Sequence, residues 1–327
     1  SSQWPMVKLS DVAEEYSIRI ENPSASEFDF YIGSDCIGQY DFRIHKKSDA
    51  STITSTQKGF NSGDYLLVRR SLYGSDFRER APRADFNGVC SADILTIREK
   101  KEIIADGFLI YVLYQKKLWD YIVANSNGGL TRRIKWKQLA DYEFPLPPYQ
   151  TQKTIADKLW AAYRLKESYK KLLSATDEMV KSQFIEMFGN GNWEQKALGE
   201  VGTFKRGGGF QKSDYVESGI PCIHYGQIHT KFGPFIYSHI TEISSDLESK
   251  TKFAGKGDLI IAITSEDTEG SCKSTAWLGD YPVAVGGHAA IFHHCMNPVY
   301  MSFFFKSALF NYAKMEYVHG TKVCEIK

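Results

Sequence analysis

Five arginines fall within fifteen residues, Arg69, Arg70, Arg78, Arg80 and Arg83, with Tyr73 and Phe77 between them. A guanidinium is a planar fork of donors that fits a phosphate or the O6/N7 edge of guanine, and neighbouring aromatics limit its freedom. The chemistry on offer is binding of an anion or a nucleic acid. A solvated, salt-bridged loop accounts for the same residues equally well. Farther on, "KRGGGFQK" (Lys205 to Lys212) could bring backbone and lysines against a phosphate, but it lacks the GxxxxGK(S/T) spacing of a nucleotide loop. A plain glycine turn fits it as well.

Other reactive residue types are present without a working arrangement. His288, His293, His294 and Cys295 match no standard zinc spacing, and strand alternation would put His293 and Cys295 on one face and His294 on the other. No metal is expected. Ser265, Glu266 and Asp267 sit in "AITSEDTEGS" without the GxSxG elbow of a hydrolase, and the first half of the chain holds no equivalent. "LPPY" (Leu146 to Tyr149) resembles the (D/N/S)PP(Y/F/W) motif of amino-group DNA methyltransferases. That motif needs a polar first side chain to hold the target amino group, which Leu146 cannot supply, and no glycine-rich cofactor loop follows a first strand. The chain is therefore expected to carry no catalytic residue and no cofactor of its own.

The elements that must position these residues are short strands and a few helices. Tyr65 to Val68, Ile94 to Ile97, Asp258 to Thr264 and Tyr281 to Val285 read as strands bounded by turn residues. Asp106 to Asn125 and Pro298 to Glu316 read as one buried helix each. Pro145, Pro147 and Pro148 then close the first half, and from Thr151 no Pro or Gly occurs until Gly189. Ile155, Leu159, Ala162, Leu165, Tyr169, Leu172, Thr176 and Met179 recur three or four apart in that stretch. A helix of about 38 residues would be a rod of roughly 57 Å, whose apolar stripe needs a partner.

Residues on either side of the rod look like two divergent copies of one domain. Trp4, Leu9, Asp11 and Val12 match Trp193, Leu198, Glu200 and Val201 at one constant offset, and "SGDYLLV" (Ser62 to Val68) answers "KGDLIIA" (Lys256 to Ala262). "NGGLTRRIK" (Asn127 to Lys135) likewise answers "HGTKVCEIK" (His319 to Lys327). Repeats of this length indicate duplicated domains and not a stacked array.

Composition sets broad bounds. The 327 residues leave room for two real cores, and a hydrophobic fraction of 43% suits globular domains. No apolar run approaches the ~20 residues of a membrane span, and the beginning lacks a signal-peptide pattern, so a cytoplasmic protein without membrane contact is expected. Cys36, Cys90, Cys222, Cys272, Cys295 and Cys324 form no CxxC pair and read as reduced, mostly buried thiols. Forty basic against thirty-nine acidic residues argue against coating nucleic acid by bulk charge, which leaves local patches.

Together these parts resemble the specificity subunit of type I restriction-modification systems. The resemblance covers essentially the whole chain. It rests on "WEQKALGEVGTFKRGGGFQKSDYVESGIPCIHYGQI" (Trp193 to Ile228), "KGDLIIAITSEDTEGSCKSTAW" (Lys256 to Trp277) and "GGHAAIF" (Gly286 to Phe292). Above all it rests on "FPLPPYQTQKTIADKLWAAYRL" (Phe144 to Leu165), which is similar to the family's "PLPPxxEQ(K/R)xI" lead into its conserved helix, with Thr151 where an acidic residue is usual. The resemblance implies an α+β chain with a first target recognition domain at 1–148, a long conserved spacer helix at 149–190 and a second recognition domain at 191–327. The helix would be half of an antiparallel coiled coil.

The resemblance also implies roles. Each recognition domain would read one half of a split, asymmetric site in double-stranded DNA. The helix would space the halves and dock adenine methyltransferase subunits, which hold S-adenosylmethionine. A restriction subunit that uses ATP and Mg would be a further partner. In the family a second conserved helix follows the second domain and packs on the first, whereas here the second copy stops at "HGTKVCEIK". Either the chain is shortened, or its helix pairs with another chain's. Ile155, Leu159, Leu165, Tyr169, Leu172 and Met179 are the expected subunit interface, open also to a second copy of this protein.

Residue chemistry then nominates the DNA contacts. They are Arg69, Arg70, Arg78, Arg80, Arg83, Arg132 and Arg133 in the first copy, and Lys205, Arg206, Lys212, Tyr225, Lys273 and Lys322 in the second. A scaffold that grips proteins without DNA is the competing class, favoured slightly by the near-neutral charge. An enzyme with a composite site would have to rest on Ser265 and the His288 to Cys295 stretch.

Overall fold

The computed structural model describes residues 4–189, 191–265 and 270–318 and the backbone of 319 and 324–326. The chain divides into two compact units, residues 1–170 and 171–327. In the first, a short helix Leu9–Val12 leads into a three-stranded antiparallel sheet in the order Ala13–Glu15, Ile94–Glu99, Tyr65–Val68. A second sheet runs Ile18–Ile20, Gln57–Phe60, Gly88–Cys90, Phe30–Ile32, Ser48–Asp49, with one parallel pairing, Gly88–Cys90 beside Phe30–Ile32. All four residues of Tyr65–Val68 are buried. Tyr65 and Leu67 enter one core cluster and Leu66 and Val68 the other, so both faces are covered and the sequence shows an apolar run without alternation.

The second unit repeats this plan. Helix Leu198–Val201 leads into Gly202–Arg206, which pairs with Ala289–His294, which pairs with Leu259–Ala262. A second sheet again holds a single parallel pairing, Ile220–Ile223 with Val283–Val285, flanked by the antiparallel strands Thr241–Ile243 and Lys252–Ala254. Leu259 and Ile261 face one cluster, Ile260 and Ala262 another. The two units thus share an antiparallel three-strand run beside the opening helix, a central parallel pair in the second sheet and a strand buried on both faces, while the second unit extends its first sheet by Ser274–Trp277 and Phe235–Ile236, a parallel pair.

Each expected long helix in the units is broken in two. Leu109–Leu113 and Lys116–Asn125 are separated at Gln115, whose backbone is extended. Pro298–Phe304 and Ala308–Lys314 are separated at Ser307, whose hydroxyl caps the second piece by accepting from the Phe310 N–H. A serine read as one more helical residue is in fact a start signal. The strand expected at Tyr281 to Val285 begins at Val283, and Glu143–Pro145 pairs with Met6–Lys8, an edge the sequence did not announce.

The helix after the prolines runs Tyr149–Phe188, 40 residues. Its first turns are anchored in the first unit, where Ala156 is buried and Ile155, Leu159 and Trp160 pack on the core. Gln152, also buried, accepts the Ala105 N–H at 2.9 Å and donates to the Pro147 carbonyl at 2.9 Å. Trp160 Nε1 donates to Gly107 O at 3.1 Å. Farther along, Leu165, Tyr169, Leu172, Leu173 and Met179 are all more than half exposed. Cys36, Cys90, Cys222 and Cys272 are buried free thiols and Cys295 is exposed. No described helix is long and apolar enough to cross a membrane.

Candidate nucleic-acid interface

In the first unit the structure brings two arginine-bearing loops together. The loop after Tyr65–Val68 and the loop at 127–133 run side by side, joined by Ser71 N–H to Arg132 O at 2.9 Å, Gly74 N–H to Leu130 O at 2.8 Å and Arg132 N–H to Ser71 Oγ at 2.8 Å. Arg70 and Arg133 meet on one carboxylate: Arg133 Nε donates to Asp93 at 2.7 Å and Arg70 Nη1 at 3.1 Å. Burial opposes the charge of Asp93, but the two arginines outweigh it and hold the carboxyl below its ordinary value. Arg78 is exposed. Arg132 is half-buried and donates to Ser126 O at 2.6 Å. Arg69 is half-buried, with its Nε enclosed and unpartnered.

Two of the nominated arginines face inward. Arg80 is 8% exposed and donates to Ser34 O at 2.9 Å; burial, with Arg78 nearby, lowers its guanidinium from the ordinary value. Arg83 grips Asp106 through both guanidinium nitrogens, at 3.1 and 2.5 Å, and lies 3.8 Å from the buried Glu99. Burial disfavours its charge, yet those neighbours raise its pKa. These two brace the fold and offer little to a ligand.

In the second unit the turn at Gly286 to His288 gathers several nominated residues. Arg206 donates to Gly287 O at 2.9 Å, and the Tyr225 ring lies 5.2 Å from His288 and 4.4 Å from His224. Close backbone approach makes this possible: a Cβ on Gly207 would come within 2.3 Å of Gly286 O. Burial, with Lys212 and His288 nearby, holds the His224 imidazole below its ordinary value. Lys205 and Lys212 are exposed. Tyr225 also lines a cleft of about 950 Å³ with His229, Lys273 and Lys306. Lys273 donates to His229 O at 2.7 Å, and burial together with Lys273 pushes the Lys306 ammonium down. Lys322, Glu266 and Asp267 lie outside the described residues.

Sequence reasoning missed several residues here. Asp93, the carboxylate shared by two arginines, is distant in sequence from Arg133 and left no local signal. Leu72 and Leu130, exposed beside the arginines, carry no sequence pattern that sets them apart. Gln152 did carry a signal, since it is the Gln of the proline-to-helix motif. Asp41, His45 and Glu167 bring one ligand atom each within 4.8 Å of one another. They are engaged already: His45 by Tyr163 at 2.8 Å, Glu167 by Lys170 at 3.0 Å and Asp41 by Lys166 at 3.9 Å.

The family model for the type I restriction modification DNA specificity domain matches residues 1–175, more than half of the chain. The chain belongs to that family. A curated relative, the type I restriction enzyme MjaVIII specificity subunit of Methanocaldococcus jannaschii, is 22% identical over 241 residues, 68% of this chain and 54% of the relative. The chain thus spans about half the length of that specificity subunit. Among solved structures, the type I restriction-modification S subunit from M. genitalium aligns with a TM-score of 0.51 at 15% identity, covering 96% of this chain and 79% of that one. It supports the fold: mixed α/β units and a long helix. The HsdS subunit from Thermoanaerobacter tengcongensis aligns with a TM-score of 0.40 at 15% identity, over 99% of this chain and 84% of that one.

Proposed function

We propose that this specificity-family chain is the sequence-reading component of a type I restriction-modification assembly, with each unit reading one half of a split, asymmetric duplex site. The observation that supports this most is the pairing of shared frame with unshared surface. Both units keep a common core, an antiparallel three-strand run and a sheet built around one parallel pair, while one presents Arg70, Arg78 and Arg133 on paired loops and the other Arg206, Lys212, Tyr225 and His288 around a glycine turn. Two similar frames with different side chains are what two unequal half-sites call for.

In this reading the exposed stripe of Leu165, Tyr169, Leu172 and Met179 docks a methyltransferase subunit or a second copy of the chain. S-adenosylmethionine, ATP and Mg belong to the partner subunits, and this chain contributes no catalytic group. Affinity for duplex DNA measured against salt, with and without a co-expressed methyltransferase subunit, tests the proposal. A steep negative slope and a bipartite pattern of methylated adenines in cells are the expected results. Absence of duplex binding in both preparations overturns it.

A further inference from the structure

The two arginine-bearing loops of the first unit form one stiff finger with an apolar end. Leu130 is 74% exposed, Tyr73 71% and Leu72 46%. Their backbones are fixed: Gly74 donates to Leu130 O, Leu72 donates to Asp76 O at 2.9 Å, Asp76 donates to Tyr73 O at 2.9 Å, and Asn127 and Arg133 exchange both main-chain hydrogen bonds. Gly74 (φ +53°) and Gly128 (φ +134°) take backbone conformations that suit glycine, and a Cβ on Gly128 would come within 2.4 Å of Thr131 O. Side chains held this way lose little freedom on binding.

The surroundings of this tip decide what it fits. Arg69, Arg70, Arg78, Arg132 and Arg133 flank it, against the carboxylates of Asp76, Glu79 and Asp93. Asp93 is divided between two arginines and Glu79 is engaged by Gln39 at 2.6 Å. An apolar protein groove would gain nothing from that collar, whereas duplex DNA offers phosphates on both sides of a stack of flat apolar faces.

We infer that Leu72, Tyr73 and Leu130 form an apolar wedge that enters a groove of duplex DNA and loosens one base step, while Arg70, Arg78 and Arg133 hold the flanking phosphates. The inference rests on the DNA-reading function proposed above and adds the mode of reading. Apolar side chains pushed between base steps partly unstack them, and the cost of unstacking depends on the step, so the wedge supplies sequence preference without a hydrogen bond to a base.

The test uses the full chain and duplexes enriched by it from a randomised pool, resynthesised with 2-aminopurine at successive positions. The wild-type protein should raise the fluorescence at one step of one half-site. Tyr73→Ala combined with Leu130→Ala should abolish that rise and reduce the preference for enriched over scrambled duplex by about tenfold, with an unchanged salt slope. Tyr73→Phe combined with Leu130→Met should restore both. Arg78→Ala should keep the fluorescence rise and lower the salt slope by about 1. Enriched duplexes bound without a fluorescence change at any position overturn the wedge and leave the DNA-reading proposal standing. A full chain that binds no duplex at any salt overturns both. A tip variant that loses methyltransferase association while binding DNA as the wild type does reassigns the tip to protein docking and overturns the wedge.

Discussion

Asp258 Oδ1 lies 2.6 Å from His293 Nδ1, in the place that the first unit gives to Asp64 and Arg98. The correspondence is structural to the atom. Each aspartate follows a glycine with positive φ, Gly63 at +99° and Gly257 at +95°, and each accepts a backbone N–H three residues back, from Asn61 at 2.8 Å and Gly255 at 2.7 Å. Each then reaches across to the penultimate residue of the neighbouring strand. A carboxylate that closes its own turn and pins a second strand fixes where the strand after it begins.

The two pairs differ in exposure, which gives the first prediction. Asp64 is buried and holds Arg98 with two hydrogen bonds, at 2.7 and 2.9 Å, whereas the His293 side chain is 81% exposed. Asp64→Ala should cost about 1.5–3 kcal/mol and Asp258→Ala about 1 kcal/mol, the former losing charged partners and the latter chiefly the turn. Urea unfolding of the intact chain measures both, and a larger loss for Asp258→Ala would contradict this ranking.

Gln152 is the second. Its amide joins the start of the long helix to Ala105 and Pro147, so Gln152→Ala should cost about 1–3 kcal/mol by leaving a buried donor and acceptor unmatched. Gln152→Glu should cost more, because it keeps the acceptor but places a charge against the Pro147 carbonyl. Thermal unfolding checks the order of the two.

The third concerns pH. The folded-state pKa of Asp93 lies below its ordinary value because Arg133 and Arg70 outweigh its burial. A depressed carboxyl stabilises the folded state above its unfolded pKa, and that stability is lost as pH falls through the folded pKa. The loop pair should therefore hold at neutral pH and loosen only in acid below about pH 4. Arg133→Ala should shift the Asp93 titration upward in carboxyl-carbon NMR, and an unmoved titration would assign the depression to another cause.

The exposed stripe of the long helix supplies the fourth. Tyr169→Glu with Leu172→Glu alters side chains already 58% and 61% exposed, so unfolding of the chain should change by less than about 0.5 kcal/mol. Association with a methyltransferase subunit or a second copy should be lost. Light scattering of the purified assembly reads this directly, and an unchanged mass would show that the stripe is not the docking face.

Much of this architecture was legible because it depends on local rules. Tyr65–Val68 was recognisable as an apolar run between turn residues, and the prolines before Tyr149 marked where the long helix starts. The family motif pointed to the same helix. What stayed hidden depends on partners distant in sequence. Arg80 and Arg83 look like Arg70 and Arg78 in the sequence, and only Ser34, Asp106 and Glu99 turn them inward. The breaks at Gln115 and Ser307 were hidden for a different reason: a three-four apolar pattern persists across a break in a helix when both pieces pack on one core.

The loops at 69–78 and 127–133 are joined mainly through main-chain atoms. Such a joint is indifferent to most of what the side chains at its end happen to be. Leu72, Tyr73 and Leu130 can be exchanged without disturbing the hydrogen bonds that hold them out. Under the wedge proposal, target preference in this half of the molecule would be open to rewriting a residue at a time, with the scaffold kept as a fixed handle for interchangeable tips.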